Sequence, residues 1–337
     1  IKKLVLASIG VCALDFSMPS KAIEENFYSG KQISIFVEEK VSSYTIYGQL
    51  ISRHFGNFLR GNPTVSIAYI QGATGPTLTN YLYEDAPRDG TVLAVPDQEL
   101  GFRQARHIEG LHYNAAEFTY VGRIAAEVSV HMAWHTTGVS NLYELKHKTL
   151  TSGAIGLEGN HVTLPNAQNQ LLGLNWKITP GYRGNSGIRL ALERGEIEAG
   201  IAPAMAFNAQ LKPWLNENKV NILVQYAEIR HHRFPNVPQI VELAENPEHK
   251  ALFQFLVSVS TFGRALVAPP GLSKERTDQL RNAFQSMVEN EVFQKDAERI
   301  GADLSPMRGE DLAIFMDGVL KTPPEIVLAA DRFIHGR

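Results

Sequence analysis

Near the start of the chain, small polar residues stand between a short apolar strand and an amphipathic helix. Ile33–Val37 is a β-prone apolar run, and apolar residues from Tyr47 to Leu59 recur with the 3.6-residue period of a helix. Ser42 and Ser43 lie between them. A hydroxyl-bearing loop that leads into a helix offers free backbone N–H groups and the positive end of the helix dipole, which favour a carboxylate or another anion. The alternative interpretation is that both serines only cap the helix.

The elements around this loop repeat along the chain. Apolar runs at residues 65–70 and 91–95 enclose a helix that begins near Thr77. Strands that alternate with helices predict parallel βαβ units in an open α/β sheet. Ligands bind beyond the carboxyl ends of such strands. The loops that should share this edge are 38–45, 71–76 and 96–100.

The second half of the chain reads as another α/β unit. Its expected strands cover residues 128–134, 149–154, 197–201 and 222–225, with helices near 166–172 and 188–195. The helical stripes around Leu280 and Leu312 are core faces, and we expect these C-terminal helices to pack on the first domain. We therefore predict domain I at residues 23–127 plus 256–337, and domain II at residues 128–255.

Residue types typical of catalysis or metal binding are not arranged for either. The chain has no Gly-x-Ser-x-Gly elbow and no phosphate-binding Walker loop, and Cys12 is its only cysteine. His131 and His135 have a metal-binding spacing only on a helix, whereas residues 128–134 read as a strand. His231-His232-Arg233 reads as a solvated turn. We therefore expect no catalytic residues, metal or cofactor.

The N-terminal residues have the order of a secretory signal peptide. Lys2 and Lys3 precede an apolar run that ends at Leu14, and small residues flank Lys21. The run is shorter than the roughly 20 residues that span a bilayer. We predict a signal peptide at residues 1–22 and a periplasmic protein with no membrane insertion after cleavage. The large Val11 disfavours a lipid anchor on the cysteine that follows it. The formal net charge of −3 gives no reason to expect nucleic acid.

Longer segments carry a family resemblance. Five segments of the chain resemble, in the same order, segments of the Bug-type substrate-binding proteins, the periplasmic receptors of tripartite tricarboxylate transporters. These segments are Gly61–Leu93, Phe118–Arg123, Pro180–Gly184, Leu190–Gly200 and Leu266–Gly271. The resemblance covers essentially the whole chain after residue 22. It implies an α/β fold of the type II-like periplasmic binding protein class. Two open βαβ sheets would be joined by a two-strand hinge, with a ligand cleft between them that closes on a small carboxylate.

The resemblance also implies a ligand-binding site. In the family, a Pro-Gly-Gly loop followed by Asp holds the ligand carboxylate, and here Val41, Ser42, Ser43 and Thr45 occupy the matching positions. The nearby Glu38 and Glu39 disfavour a polycarboxylate, so a monocarboxylate with an amine or a polar neutral molecule stays open. The predicted ligand-binding residues are Glu39, Ser42, Ser43, Tyr44, Thr45, Thr74, Gln98, Gly159, Asn160, His161, Thr163, Tyr182, Arg183 and Met205.

Several of these residues have stated roles. Gly159 to Thr163 match the family's second-domain loop, Arg183 could pair with a carboxylate or form a surface ion pair, and Met205 would contribute an apolar wall. We expect a monomeric receptor that delivers a small organic acid to the membrane permease subunits of a tripartite transporter. Two alternatives remain, a secreted enzyme whose base would be His161 or Glu39, and a sensor that presents its closed form to a kinase ectodomain. A DNA-binding regulator is disfavoured because no helix-turn-helix precedes the first strand.

Overall fold

A computed structural model of the 337-residue chain describes residues 26–37, 43–70, 76–157 and 159–334. The predicted signal peptide and the predicted ligand-binding residues Glu39, Ser42 and Thr74 lie outside these ranges. Of the helices in the described ranges, none has the length and apolar character needed to cross a membrane.

Strands and helices alternate through the described residues. The strands are β1 (Gln32–Val37), β2 (Thr64–Tyr69), β3 (Val92–Ala94), β4 (Thr119–Ala125), β5 (Ser129–Trp134), β6 (Leu150–Gly153), β7 (Trp176–Thr179), β8 (Ala199–Pro203), β9 (Val220–Tyr226), β10 (Arg264–Ala268) and β11 (Met307–Arg308). The α-helices are α1 (Ser43–His54), α2 (Pro76–Glu84), α3 (Leu100–Ala105), α4 (Asn160–Leu172), α5 (Gly184–Glu193), α6 (Lys212–Asn216), α7 (Pro247–Phe262), α8 (Lys274–Val288), α9 (Glu291–Arg299), α10 (Gly309–Leu320) and α11 (Pro324–Ile334).

The first sheet contains six described strands in the order β11-β4-β10-β3-β1-β2. β1 runs parallel to β2 and β3, as the sequence predicts, so the segments that follow these strands leave from one edge of the sheet. β10 is antiparallel to its neighbours β3 and β4. The chain therefore returns to the middle of this sheet after it has built the second one.

Alternating apolar residues fix β1 against α1. Ile33, Ile35 and Val37 point to one face and are fully buried together with the apolar stripe of α1. Gly48 lets the helix approach closely, because a Cβ at this position would lie only 3.0 Å from Val37 Cγ1. Burial of each large apolar side chain contributes roughly 1.5–3 kcal/mol, so this packing holds the N-terminus of α1 at the sheet edge.

The second sheet has the described strand order β7-β6-β8-β5-β9. β6 is parallel to β7 and β8, whereas β5 is antiparallel to β8 and β9. One apolar cluster joins this sheet to α4, α7 and α11, and another joins it to α5, α6 and the 3₁₀ turn Ala204–Asn208. Both faces of the sheet are thus covered, as in an open α/β architecture.

The chain crosses between the two sheets at adjacent places. Residues 126–128 connect β4 to β5, and Gly263 connects α7 to β10. Gly263 has φ +54°, and a Cβ there would lie 2.2 Å from the carbonyl oxygen of Ala125, so only glycine fits. The connection at residues 126–128 joins two strands, whereas the connection at Gly263 joins a helix to a strand. The predicted domain boundary between residues 255 and 256 falls inside α7, and the division into domains stays a prediction.

Two further predictions concern helices. The helix expected near Asn166 begins at Asn160, because Val162 and Leu164 bury their side chains and extend the helix through the polar sequence before Pro165. The predicted packing of the C-terminal helices is confirmed for α8 and α10, which pack on β4 of the first sheet. The last helix, α11, instead packs against α4 and α7.

Candidate ligand-binding site

The edge of the first sheet brings three predicted residues together. α1 begins at Ser43, so Ser43 and Tyr44 lie in its first turn, and Gln98 follows β3. The backbone N–H of Gln98 donates a hydrogen bond of 3.2 Å to the Tyr44 hydroxyl. The parallel order of β1 and β3 explains this meeting, because both segments leave the sheet on the same side.

Arg264, at the start of β10, organises this edge. Its Nη1 donates to Gln98 Oε1 at 2.6 Å, and its Nη2 donates to Ser43 Oγ at 2.7 Å. Nη2 also forms an ion pair with Glu127, which lies in the connection between the sheets. The guanidinium carbon lies 4.1 Å from the centre of the Tyr44 ring, a cation–π distance. We call this group, Arg264, Glu127, Ser43, Gln98 and Tyr44, the crossover network.

Arg264, at the centre of the crossover network, is buried, whereas its four partners are half-buried. The Arg264 side chain is 5% exposed, and its Nε is buried with no hydrogen-bond partner among the described residues. Burial raises the pKa of Tyr44 well above its usual range, although the nearby Arg264 opposes this shift. The phenol therefore stays protonated and neutral. Sequence reasoning missed Arg264 and Glu127; an arginine in the otherwise apolar strand β10 was the signal available.

Met205, from the second sheet, meets the same edge. It lies in the 3₁₀ turn after β8 and packs with Tyr44 on the apolar cluster of the first sheet. The Tyr47 hydroxyl lies 3.7 Å from Met205 Sδ and donates a 2.9 Å hydrogen bond to the carbonyl of Asp303. The structure thus brings Met205 of the second sheet against α1 of the first, three residues beyond Tyr44.

The predicted second-sheet loop forms the N-terminus of α4. The Gly159 carbonyl accepts hydrogen bonds from the backbone N–H groups of Val162 and Thr163, both at 2.9 Å. No described side chain caps this terminus. Asn160 is half-buried at the first helical position, whereas Thr163 is buried one turn further on. This helix end leaves backbone donors available to an anion.

His161 connects α4 to α5. Its Nε2 lies 3.2 Å from Asn185 Oδ1. Burial lowers the pKa of His161, although the hydrogen bond with Asn185 opposes the shift, so the imidazole is neutral near pH 7. It can therefore donate or accept one hydrogen bond but offers no positive charge to an anion.

The remaining predicted residues lie in varied surroundings. Tyr182 is half-buried against Gly153, and its N–H donates to the Ala154 carbonyl. Arg183 is exposed at the start of α5, with no ion pair to any described residue. Thr45 is buried within α1, on the side of the core. Of the predicted residues that the structure describes, Ser43, Tyr44 and Gln98 share one place at the first-sheet edge, and Met205 packs beside Tyr47 of the same helix. Gly159 to Thr163, Tyr182 and Arg183 lie on the second-sheet side.

The prediction of a solvated turn at residues 231–233 is wrong for His231. His231 is 6% exposed because its Nε2 hydrogen-bonds Asp303 Oδ2 at 2.8 Å, on the first-sheet side of the molecule. Asn208 Nδ2 donates to the other oxygen, Asp303 Oδ1, at 2.7 Å. Although burial opposes it, these hydrogen bonds lower the pKa of Asp303, so the carboxylate is ionised. The contact holds the two sheets together beside the facing edges.

His231 and Asp303 also belong to a group of residue types that can bind a metal ion. Within the described ranges, His231, His232 and Asp303 are the group whose potential ligand atoms lie within 4.8 Å of one another. His231 Nε2 is bonded to Asp303, and its Nδ1 accepts the backbone N–H of Arg233 at 3.3 Å. Because both ring nitrogens have protein partners, this group is a hydrogen-bonded contact between the sheets, and we assign it no metal.

Comparisons with known proteins agree with this architecture. The sequence matches the model of a family described as "Tripartite tricarboxylate transporter family receptor" over residues 63–329. A Cupriavidus necator relative, named as a UPF0065 protein in the gbd 5′ region, is 26% identical over 176 residues. That alignment covers 51% of this chain and 48% of the relative, so it spans about half of either protein.

Solved structures share the fold at low sequence identity. A TctC solute-binding protein from Polaromonas has a TM-score of 0.70 at 15% identity, with 92% of this chain and 100% of that chain covered. A Rhodopseudomonas palustris protein with adipate gives 0.59 at 16% identity, covering 89% and 97%. MatC of Rhodopseudomonas palustris with bound malate gives 0.57 at 17% identity, covering 88% and 99%.

Proposed function

Because this chain belongs to the family of tripartite tricarboxylate transporter receptors, we propose that it binds a small organic acid between its two sheets and delivers the acid to the membrane subunits of such a transporter. The bound adipate and malate of the two Rhodopseudomonas palustris structures support a carboxylate as the ligand class. The family's receptors are periplasmic, and export to the periplasm is part of the proposal.

The observation that carries the proposal is the gathering of Ser43, Tyr44 and Gln98 around Arg264, on the helix against which Met205 packs. These groups supply hydroxyl and amide hydrogen-bond partners beside the Arg264–Glu127 ion pair. The N-terminus of α1 adds the positive end of its dipole, and the uncapped N-terminus of α4 supplies free donors from the second sheet. A carboxylate between the two sheets would thus meet donors from both.

The proposed mechanism is capture followed by closure. A ligand would bind first to one sheet edge, and movement about the connections at residues 126–128 and Gly263 would bring the other edge onto it. Exclusion of water then strengthens each hydrogen bond to the carboxylate. Because Arg264 links the binding edge to Glu127 in one of these connections, the crossover network couples ligand contact to the moving part.

The enzyme alternative lacks a supporting observation. A general base must lie within hydrogen-bond reach of a nucleophile or a labile proton. Among the described residues, the side-chain partner of His161 is the amide of Asn185, which is not a nucleophile. Glu39, the other candidate base, lies outside the described ranges. The kinase-sensor alternative differs only in its partner.

A thermal-shift screen of the full chain tests the proposed function. Mono-, di- and tricarboxylates are added in turn, and a ligand that binds only the folded protein at a hundredfold excess over its Kd adds about 2.7 kcal/mol to the free energy of unfolding. We expect at least one acid to raise Tm. Ser43→Ala should weaken its binding about tenfold, because a hydroxyl at the sheet edge is lost.

Ser52→Ala is the matched control. Ser52 lies on the same helix, and its hydroxyl donates to the carbonyl of Gln49, away from the sheet edge. This variant should keep the affinity of the unaltered protein. If no carboxylate changes Tm, or if both serine variants behave alike, the proposed site at the first-sheet edge is wrong.

A further inference from the structure

A cavity of about 300 Å³ lies on one face of the second sheet. Its floor comes from β5 and β8, and its walls from α5, from residues 203–211 and from the start of α6. Ile300 and Gly301, which follow α9 on the first-sheet side, complete it. The side chains that give it an apolar character are Met132, Ile188, Ile201, Leu211, Trp214 and Ile300.

One cation lines this cavity. Arg189 projects from α5, is half-buried, and forms no hydrogen bond or ion pair with any described residue. None of the described lining residues is acidic. In contrast, the buried Arg264 and Arg123 find a carboxylate or backbone carbonyls within the protein. A partly desolvated guanidinium without a protein partner points to an anion from outside.

The cavity adjoins the candidate ligand-binding site. Met205 lines it and also lies beside α1, where its Sδ is 3.7 Å from the Tyr47 hydroxyl. Asn185 lines it and also contacts His161 at the start of α4. A ligand held between the sheets could therefore extend into this space.

We propose that the cavity binds a monocarboxylate with a sizeable apolar body, and that Arg189 pairs with its carboxylate. This inference rests on the proposed receptor function and narrows its ligand class. The lining supplies one positive charge, so a second carboxylate on the ligand would be desolvated without a partner, at a large free-energy cost. Malate and citrate are thus poor candidates for this cavity.

The volume sets the size of the ligand. Small-molecule sites range from about 300 to 1,000 Å³, so this cavity is at the small end. With about 30 Å³ for each water-sized group, it holds roughly ten non-hydrogen atoms. Phenylacetate has this size, an apolar ring and one carboxylate, and it is the probe that we choose.

Calorimetric titration of the full chain with phenylacetate tests the proposal. 2-Phenylethanol serves as the matched neutral ligand, and malate as the small dicarboxylate. We expect phenylacetate to bind at least tenfold more tightly than either. Arg189→Gln should weaken phenylacetate binding by about 10- to 100-fold, as expected for loss of a charge-assisted pair, and should leave 2-phenylethanol unaffected.

Two variants distinguish phenylacetate binding in the cavity from general effects of charge and of folding. Arg194→Gln removes a guanidinium just beyond the same helix, where Arg194 is exposed and lies near Glu196, and it should bind phenylacetate normally. Ala206→Phe keeps Arg189 but fills the cavity, and it should abolish phenylacetate binding while circular dichroism reports a folded protein.

The outcomes distinguish this inference from the proposed function. If malate or another small polycarboxylate binds most tightly and depends on Ser43 but not on Arg189, the receptor function stands and the cavity proposal is overturned. Equal phenylacetate binding by the Arg189→Gln and Arg194→Gln variants overturns it as well. If no carboxylate of either kind binds, both the inference and the proposed function are overturned.

Discussion

Two polar networks in the protein provide partners for their hydrogen-bonding groups in different ways. The crossover network centres on a charged pair, Arg264 with Glu127, and lies where the chain passes between the sheets. The second, which we call the sheet network, lies inside the second sheet and its helix α4. Its members are His131, Ser152, Tyr226, Gln168 and Trp176.

The sheet network carries no charge. Trp176 Nε1 donates to Gln168 Oε1, so Gln168 Nε2 faces the Tyr226 hydroxyl and donates to it at 2.8 Å. The Tyr226 hydroxyl lies 2.8 Å from His131 Nδ1, and His131 Nε2 lies 2.9 Å from Ser152 Oγ. The His131 ring also stacks on Trp176 at 3.9 Å. Each nitrogen of the imidazole thus has a hydroxyl partner, and the neutral ring completes the chain of hydrogen bonds.

The two networks therefore have different expected roles, since one stabilises the second sheet and the other lies beside the proposed ligand-binding site. A neutral, fully satisfied network stabilises one sheet and needs no partner from outside. The charged network instead places an ion pair beside the proposed ligand-binding edge, and the buried Arg264 is neutralised only while Glu127 stays near it. The expected effects of substitutions follow this contrast.

The largest expected effect is that of Glu127→Gln. This change leaves the Arg264 guanidinium, 5% exposed, without its counter-charge. Because removal of one partner from a buried ion pair leaves an uncompensated charge, the free energy of unfolding should fall by about 3 kcal/mol, measured by urea denaturation.

Asp278→Asn is the control for this prediction. Asp278 pairs with Lys274 on the surface of α8, where both side chains are exposed. Its loss should change stability by less than about 0.5 kcal/mol. A similar value for the two variants would contradict the view that the crossover network depends on its charge.

A smaller effect is expected for Ser152→Ala in the sheet network. It leaves His131 Nε2 buried without its hydrogen-bond partner, which should cost about 2 kcal/mol. Ser140→Ala, at an exposed position beside Glu144, should cost less than about 0.5 kcal/mol in the same denaturation experiment. A loss for Ser152→Ala larger than that for Glu127→Gln would reverse the proposed contrast.

The smallest expected effect concerns pH. Burial, with a lesser contribution from His161, lowers the pKa of His131 from 6.5 to about 3. The unfolded chain therefore binds more protons than the folded protein between these values, and stability falls as pH drops below about 6.5. Between pH 6.5 and pH 5, His131 should lower the free energy of unfolding by about 1.5 kcal/mol.

Denaturation at both pH values tests this contribution. His131→Gln should make stability less dependent on pH over this interval. His112→Gln, whose imidazole is 61% exposed, should keep the dependence of the unaltered protein. An unchanged dependence in the His131 variant would mean that the imidazole is not held neutral by burial.

Local patterns were sufficient for most of the fold. The alternation in Ile33–Val37 and the helical stripe from Tyr47 to Leu59 predict β1 and α1. β1 is confirmed, and α1 is confirmed as far as His54, after which Phe55–Phe58 form a 3₁₀ turn. Such predictions succeed because strand and helix periods are properties of neighbouring residues. The start of α4 was missed because the polar residues before Pro165 resemble a loop, and only packing of Val162 and Leu164 makes them helical.

The candidate site was predicted only in part. Ser43, Tyr44 and Gln98 lie together as expected for a shared edge, and Met205 packs beside Tyr47 of the same helix. The prediction that His231 lies in a solvated turn was wrong because its partner, Asp303, is 72 residues away in sequence. No local pattern reports such a partner, so burial of a histidine that follows a polar loop could not be inferred.

By itself, the sequence determined most of the order of strands and helices and the family, because these depend on periodicity and on collinear motifs. It also predicts the edge at which a ligand should bind, and this stays a prediction. The tertiary structure decided which charges are paired. Ser43 meets Arg264 across 221 residues of sequence, whereas Arg189 meets no acidic residue in the described part of the chain. Electrostatic pairing depends on distances of a few ångströms in three dimensions, and those distances exist only after the two sheets have packed.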